Sequence, residues 1–216
     1  MPSSLAKLCM NYSSKIGVLV SLFLIGSCSS NSPEVSLPPE RISLIGFSLL
    51  PINEEGWSVK VKTFDMVILR KMVDDGTYVV IAILTPLSKY QTEEEFLARV
   101  KESQALYLDM KQFTVRHNET RTFKAKGTTC ARSNVILQEK STVKFWKTEP
   151  AYLEIVSFLC VHPQNVGIAA MVNYSQRYFV GQRDTELFKK AEMVFNSVEF
   201  NELDFKRHND VFNRTR

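Results

Sequence analysis

The thiols and imidazoles are the first places to look for chemistry in this chain, because a cysteine beside a histidine makes an activated nucleophile. Four cysteines occur, Cys9, Cys28, Cys130 and Cys160, with three histidines, His117, His162 and His208. Cys130 with His162 would form the pair of a small hydrolase or transferase, the thiolate attacking an acyl carbon and the imidazole taking the proton. The competing reading is a disulfide: Cys130 and Cys160 lie in segments of strand character, too far apart for a Cys-x-x-Cys motif. In an oxidising compartment they would be joined, closing a loop of about thirty residues and stabilising the fold by ~3–4 kcal/mol. The two readings exclude each other, since a bonded sulfur cannot attack. The histidines show no i, i+4 spacing and no nearby cluster of acids, so no metal is expected. Gly-x-Ser-x-Gly elbows, phosphate loops and dinucleotide fingerprints are missing from the sequence, and no cofactor is predicted. Glu93, Glu94 and Glu95 read as acids of a helix start. The leading expectation is a protein that is not an enzyme.

Cys28 carries a different chemistry. Lys7 and Lys15 precede an apolar run from Ile16 to Ile25, and no acid occurs before Glu34. About ten apolar residues are too few to span a ~30 Å hydrocarbon core, but they suit the apolar region of a secretory signal peptide. Ile25-Gly26-Ser27-Cys28 closes the run. This segment resembles the lipobox of bacterial lipoproteins, in which small residues admit a narrow peptidase and the cysteine thiol takes a diacylglyceryl group. The resemblance implies cleavage after residue 27, lipid (palmitate or similar chains) on Cys28, and two or three acyl chains. Each buried CH₂ is worth ~0.8 kcal/mol, so several chains hold firmly where one does not. It places the protein on the bacterial cell envelope, facing the periplasm. Ser29, where enteric bacteria use aspartate for retention at the inner membrane, favours the outer membrane. Met1 and Met10 both remain possible starts, the second leaving a compact signal without Cys9.

Residues 28–41 are rich in serine and proline and read as a flexible tether, which fully extended reaches ~40 Å. The chain beyond it is about the size of one domain. It is ordinary in composition, 44% hydrophobic and 11% aromatic. Residues 1–27 hold two of the 27 Lys and Arg and none of the 23 Asp and Glu, which leaves +2 on the remainder. Charges of both signs are interspersed there, which argues against nucleic acid as a partner. A basic tail, 201–216, contains Lys206, Arg207, Arg214 and Arg216.

Within 42–200 the elements follow from periodicity. Ile42 to Leu50 reads as one apolar strand. Trp57, Val59 and Val61 alternate with Ser58, Lys60 and Lys62 as a half-buried strand should. Strands at 66–72 and 77–85 flank Asp74-Asp75-Gly76 as a hairpin, the second central in its sheet. Further strands are predicted at 121–126, 129–138, 151–161 and 166–175. A helix opens at Thr92 with Glu95 in capping-box position and runs to about Met110. A second, 184–197, carries an apolar stripe of Leu187, Phe188, Ala191, Val194 and Phe195. The predicted class is α+β, a mostly antiparallel β-sheet with helices packed on it. Pro51 before Gly56-Trp57, the hairpin, the Thr-Glu-Glu-Glu helix start and the ending Phe195-Asn196-Ser197-Val198-Glu199-Phe200 resemble the PsbP-like fold. That resemblance implies an α-β-α sandwich used for binding and assembly, with no shared active site.

The remaining chemistry is aromatic. Arg177, Tyr178 and Phe179, expected in a loop before the last helix, form the first candidate partner patch; Phe145 and Trp146 form the second. The expected function is a membrane-anchored binding or assembly module with an envelope protein or cell-wall partner. The alternatives are the Cys130–His162 enzyme and a periplasmic small-ligand binder with a buried apolar pocket.

Overall fold

The computed structural model describes residues 32–74, 76–105, 111–140 and 150–203. The signal and lipobox of residues 1–28, the Phe145 and Trp146 pair and the basic residues beyond 203 lie outside them. Seven strands form one antiparallel sheet: β3 (Trp57–Lys62), β4 (Met66–Val73), β5 (Gly76–Pro86), β6 (Phe113–Ala125), β7 (Thr128–Glu139), β8 (Ala151–His162) and β9 (Asn165–Phe179). Their spatial order is β3-β4-β5-β9-β8-β7-β6. Helix α1 (Glu93–Ala105) covers one face and α2 (Leu187–Asn196) the other. Short strands β1 (Ile42–Ser43), β2 (Phe47–Leu49) and β10 (Glu199–Phe200) make a second, three-stranded sheet beside α2. The α+β class and the helix-sheet-helix layering agree with the sequence expectation. Among the described residues no helix is long and apolar enough to cross a membrane.

Alternation explains why both faces are covered. In β9, Ala170, Val172 and Tyr174 point into the larger core with Trp57, Leu69 and Val80, while Ala169 and Met171 point under α1. Leu187, Ala191, Val194 and Phe195 of α2 all sit in the larger core, a spacing of four, three and one that puts them on one helical stripe. Phe96 and Val100 do the same for α1. Thr92 Oγ1 accepts the Glu95 N–H at 3.2 Å, as expected of the cap, but the Glu95 carboxylate reaches one residue further, to the Gln91 N–H at 2.6 Å.

Four expectations are corrected. The apolar run 42–50 is two strands, because Gly46 turns the chain at φ +74°, a region that favours glycine. Gly76 stands at the start of β5 for space: a Cβ there would lie 2.6 Å from the Arg177 carbonyl oxygen. Strand β6 begins at Phe113, eight residues before the predicted start. Its first half, from Val115 to Glu119, is an exposed sheet edge with charged side chains, which suppress the apolar alternation and guard an unpaired edge. Finally, the tether is partly docked. Val35 N–H donates to the Trp57 carbonyl and Val59 N–H to the Pro33 carbonyl, each at 2.9 Å, so residues 33–35 lie along the outer edge of β3.

Candidate functional site

Cys130 and Cys160 face each other across the β7–β8 ladder with Cα atoms 4.0 Å apart, and their sulfurs are bonded. Both are buried in the larger core. The bridge removes the thiolate that the Cys130–His162 reaction requires. His162 is held elsewhere: Nε2 lies 2.9 Å from the Gly46 carbonyl and 3.2 Å from that of Asn201, while Nδ1 accepts the Gln164 N–H at 3.2 Å. An acceptor at Nδ1 and carbonyls at Nε2 fit the Nε2–H tautomer. The ring packs edge-on against Phe200 at 5.1 Å. This histidine fastens the end of β8 to the β1–β2 turn and to the chain after β10.

Arg177, Tyr178 and Phe179 are not a loop patch. Strand β9 continues through them, because β8 extends far enough to pair with all three and β5 pairs with Arg177. Tyr178 and Phe179 are buried. Arg177 makes a two-pronged pair with Glu139, Nε at 2.6 Å and Nη2 at 2.8 Å, and its guanidinium lies over the Phe179 ring. On the other face Tyr178 stacks on Tyr152 at 5.7 Å. Burial raises the Tyr178 hydroxyl above its ordinary value, and the Glu154 charge adds to this.

Glu154 was not singled out by sequence reasoning, although a lone acid inside the apolar run Ala151–Cys160 signals a buried charge that needs a partner. It is buried, and Arg183 grips it at 2.7 Å with both Nε and Nη2. The bond to Glu154 raises the Arg183 guanidinium further above its usual value. Beside it, Gln176 is buried and accepts the Asp184 N–H at 2.9 Å. Asp184 in turn accepts from Tyr78 Oη at 3.2 Å, Lys190 Nζ at 3.0 Å and the Glu186 N–H at 2.8 Å. Glu54 joins through Lys190 at 3.4 Å and Lys71 at 3.0 Å. The predicted start of the second helix at Asp184 is therefore a charged turn, and α2 begins three residues later.

Burial alone would raise the Asp184 carboxyl, but the Glu186 N–H, Lys190 and Tyr78 together hold it below the usual carboxylate range. A depressed folded value means that this group stabilises above the ordinary carboxylate pKa of ~4 and loses that contribution as the pH falls through the folded value. Asp184→Asn keeps an acceptor for the Glu186 N–H and removes the charge. It is expected to lower the unfolding free energy by about 1–2 kcal/mol at neutral pH, the scale of a charge-assisted hydrogen bond. The difference should fade as the pH falls below the ordinary carboxylate range and through the depressed folded value. Thermal unfolding of both proteins across pH checks this, and a deficit independent of pH would contradict it.

The charged groups around β8, β9 and α2 thus pair with one another and hold the 180–186 segment. What they leave at the surface is the rim of Tyr152, the half-exposed Arg183 and the exposed Val180. Two clefts are open and small: about 240 Å³ among Tyr90, Phe96, Phe123 and Lys124, and about 260 Å³ among Arg132, Asn134 and Phe188. Small-molecule sites usually enclose ~300–1,000 Å³, so neither cleft resembles the pocket of the ligand-binder alternative. Among the described residues no group of three or more His, Cys, Asp or Glu is placed to hold a metal.

The class of protein these features define is an α+β sandwich: among the described residues, a seven-stranded antiparallel sheet lies between two helices and is stapled by the buried Cys130–Cys160 disulfide. No family model matches the sequence, and a search of curated proteins finds no match. Solved structures similar to it include the solution structure of cyanobacterial PsbP (CyanoP) from Synechocystis sp. PCC 6803. That likeness has a TM-score of 0.47 at 13% identity and covers 82% of this chain and 99% of that one. The crystal structure of the Saccharomyces cerevisiae Ran-binding protein Mog1p is also similar, with a TM-score of 0.45 at 8% identity, covering 78% of this chain and 95% of that one. At these identities no site residue carries over.

Proposed function

We propose that this chain is a lipoprotein of the bacterial cell envelope, anchored through lipid on Cys28, whose domain is a non-enzymatic binding or assembly module facing the periplasm. The outer membrane is favoured by Ser29, and the partner is an envelope protein or the cell wall. The observation that carries the reading is the buried Cys130–Cys160 bridge. Disulfides persist in exported proteins, in keeping with the signal-like residues 1–27, and this one occupies the sulfur that the competing enzyme would need. The aromatic and arginine rim of Tyr152, Arg183 and Val180 supports a protein-facing surface, since such side chains concentrate binding energy.

The anchor is tested by growing an exporting bacterium on isotopically labelled fatty acid. The wild-type chain is expected to carry the label on the Cys28 peptide, and Cys28→Ala is expected to lose it completely. A wild-type chain without label, or with a free thiol at Cys28, would refute the lipoprotein reading.

A further inference from the structure

We propose that the open edge of β6 takes an extended, acidic segment of a protein partner as an added strand, with the partner's carboxylates on Arg121 and Arg132. The proposal rests on the reading of the domain as a binding module and names the surface and the partner's chemistry. The seven-stranded sheet ends in β3 on one side and in β6 on the other. The chain covers part of the first edge itself, by laying residues 33–35 along β3. Strand β6 pairs with β7 and, among the described residues, with no other strand. Past its bulge the ladder with β7 is regular from Asn118 to Ala125. That is about 24 Å of edge, and its outward N–H and C=O groups are a template for another strand.

Charge selects the partner. From Arg116 to Lys124 the strand carries Arg116, Arg121 and Lys124 against Glu119 alone, an excess of two positive charges. Such an edge draws an acidic strand more strongly than a second copy of itself. Arg121 stands directly opposite Arg132 of β7, and both line the open cleft of about 260 Å³ with Glu119, Asn134 and Phe188. Like charges opposed across a ladder repel, and the acids beside these two are sparse. Glu119 lies 3.0 Å from Arg121, but Glu192 stands 3.6 Å from Arg132, outside hydrogen-bond reach. The Arg132 guanidinium lies instead over the Phe188 ring, 4.6 Å from its centre. A carboxylate from an added strand relieves the opposition and meets planar forks built for it. The other face of β6 asks for no acid: Thr122 Oγ1 donates to the Glu93 carboxylate there, and Lys124 Nζ donates to Thr129 Oγ1. The fitting strand therefore carries acids at every second position, its backbone supplying affinity and its alternate side chains specificity.

The test uses the full chain in nanodiscs of zwitterionic phosphatidylcholine. The probe is a capped, fluorescent peptide of about eight residues in which glutamate alternates with threonine. Anisotropy is expected to show saturable binding, and amide hydrogen exchange to slow within Asn118–Ala125. Glutamine in place of glutamate removes the charge, and N-methylation of the peptide amides removes the backbone donors. Each change is expected to weaken binding at least about tenfold, the scale of one charge-assisted hydrogen bond. Arg121→Glu, at a side chain 58% exposed and therefore tolerated by the fold, is expected to weaken the glutamate peptide by a similar factor. Lys62→Glu, exposed on the far edge strand, should change it less than about twofold. No binding by the wild-type chain, equal binding after either change to the peptide, or equal effects of the Arg121 and Lys62 variants overturns the proposal. Sedimentation showing a dimer that the peptide dissociates makes a second copy the occupant and overturns it as well. A chain that carries lipid on Cys28 and fails these tests keeps the lipoprotein reading and loses the β6 edge.

Discussion

Replacing Cys130 and Cys160 together by alanine is expected to lower the unfolding free energy by about 3–4 kcal/mol, the chain-entropy value for a loop of this size. The bond spans 30 residues and links two neighbouring central strands, so it restrains the unfolded chain over the whole β7–β8 connection. Both sulfurs are buried among Phe158, Ala170 and Val172, and alanine also forfeits part of that packing. The measurement is denaturant unfolding of the two proteins with the slopes compared. A loss under about 1 kcal/mol, or a wild-type protein that alkylates at both cysteines when unfolded without reductant, would show that the bond does not form. That second result would also return Cys130 to consideration as a nucleophile, so the same experiment bears on stability and on function.

Phe195→Ala is expected to cost about 3–5 kcal/mol, at the upper end for a buried aromatic. Phe195 stacks on Phe158 with centroids 4.4 Å apart and planes 10° off parallel, and meets Phe123 edge-on at 5.8 Å. It thereby joins α2 to β6 and β8. Phe195→Leu, which keeps most of the volume, should cost less than about 1.5 kcal/mol. Equal losses for the two variants in chemical denaturation would mean that α2 docks through its other buried residues. The consequence reaches the N-terminal segment. Arg41, where the docked tether enters the fold, donates to the Ser197 carbonyl at 2.8 Å and pairs with Glu199 at 2.8 Å, both just after α2. A chain whose α2 has loosened would also loosen the N-terminal segment docked on β3.

Ion pairs at the edge of the core hold the connection between β9 and α2. Glu154 with Arg183 and Asp184 with Lys190 stabilise little by area, yet each fixes a segment that would otherwise be a loose connection between β9 and α2. The rim of Tyr152, Arg183 and Val180 is held in one shape by that frame. A preformed surface loses less conformational entropy on binding than a mobile one.

Much of the fold was legible in the residues themselves. The alternation of Trp57, Val59 and Val61, the apolar runs of β5 and β8 and the single stripe of α2 each state which side of an element must be buried, because that depends only on local repeat. The cysteine pairing followed from two strands and the sequence separation. Other features depended on neighbours. The Arg177-Tyr178-Phe179 segment has the composition of an exposed recognition loop; it is strand and largely buried because β8 continues beside it. Arg116, His117, Asn118 and Glu119 lack any strand pattern and are strand because β7 offers its ladder to them, with a bulge between Val115 and His117. Pro33 to Val35 read as free tether, and only the open edge of β3 binds them. Residue type and period thus determined which surfaces had to be covered and which two thiols lay in facing strands. Tertiary structure decided what covers them, because a backbone ladder is satisfied by whichever strand lies alongside, whatever its side chains.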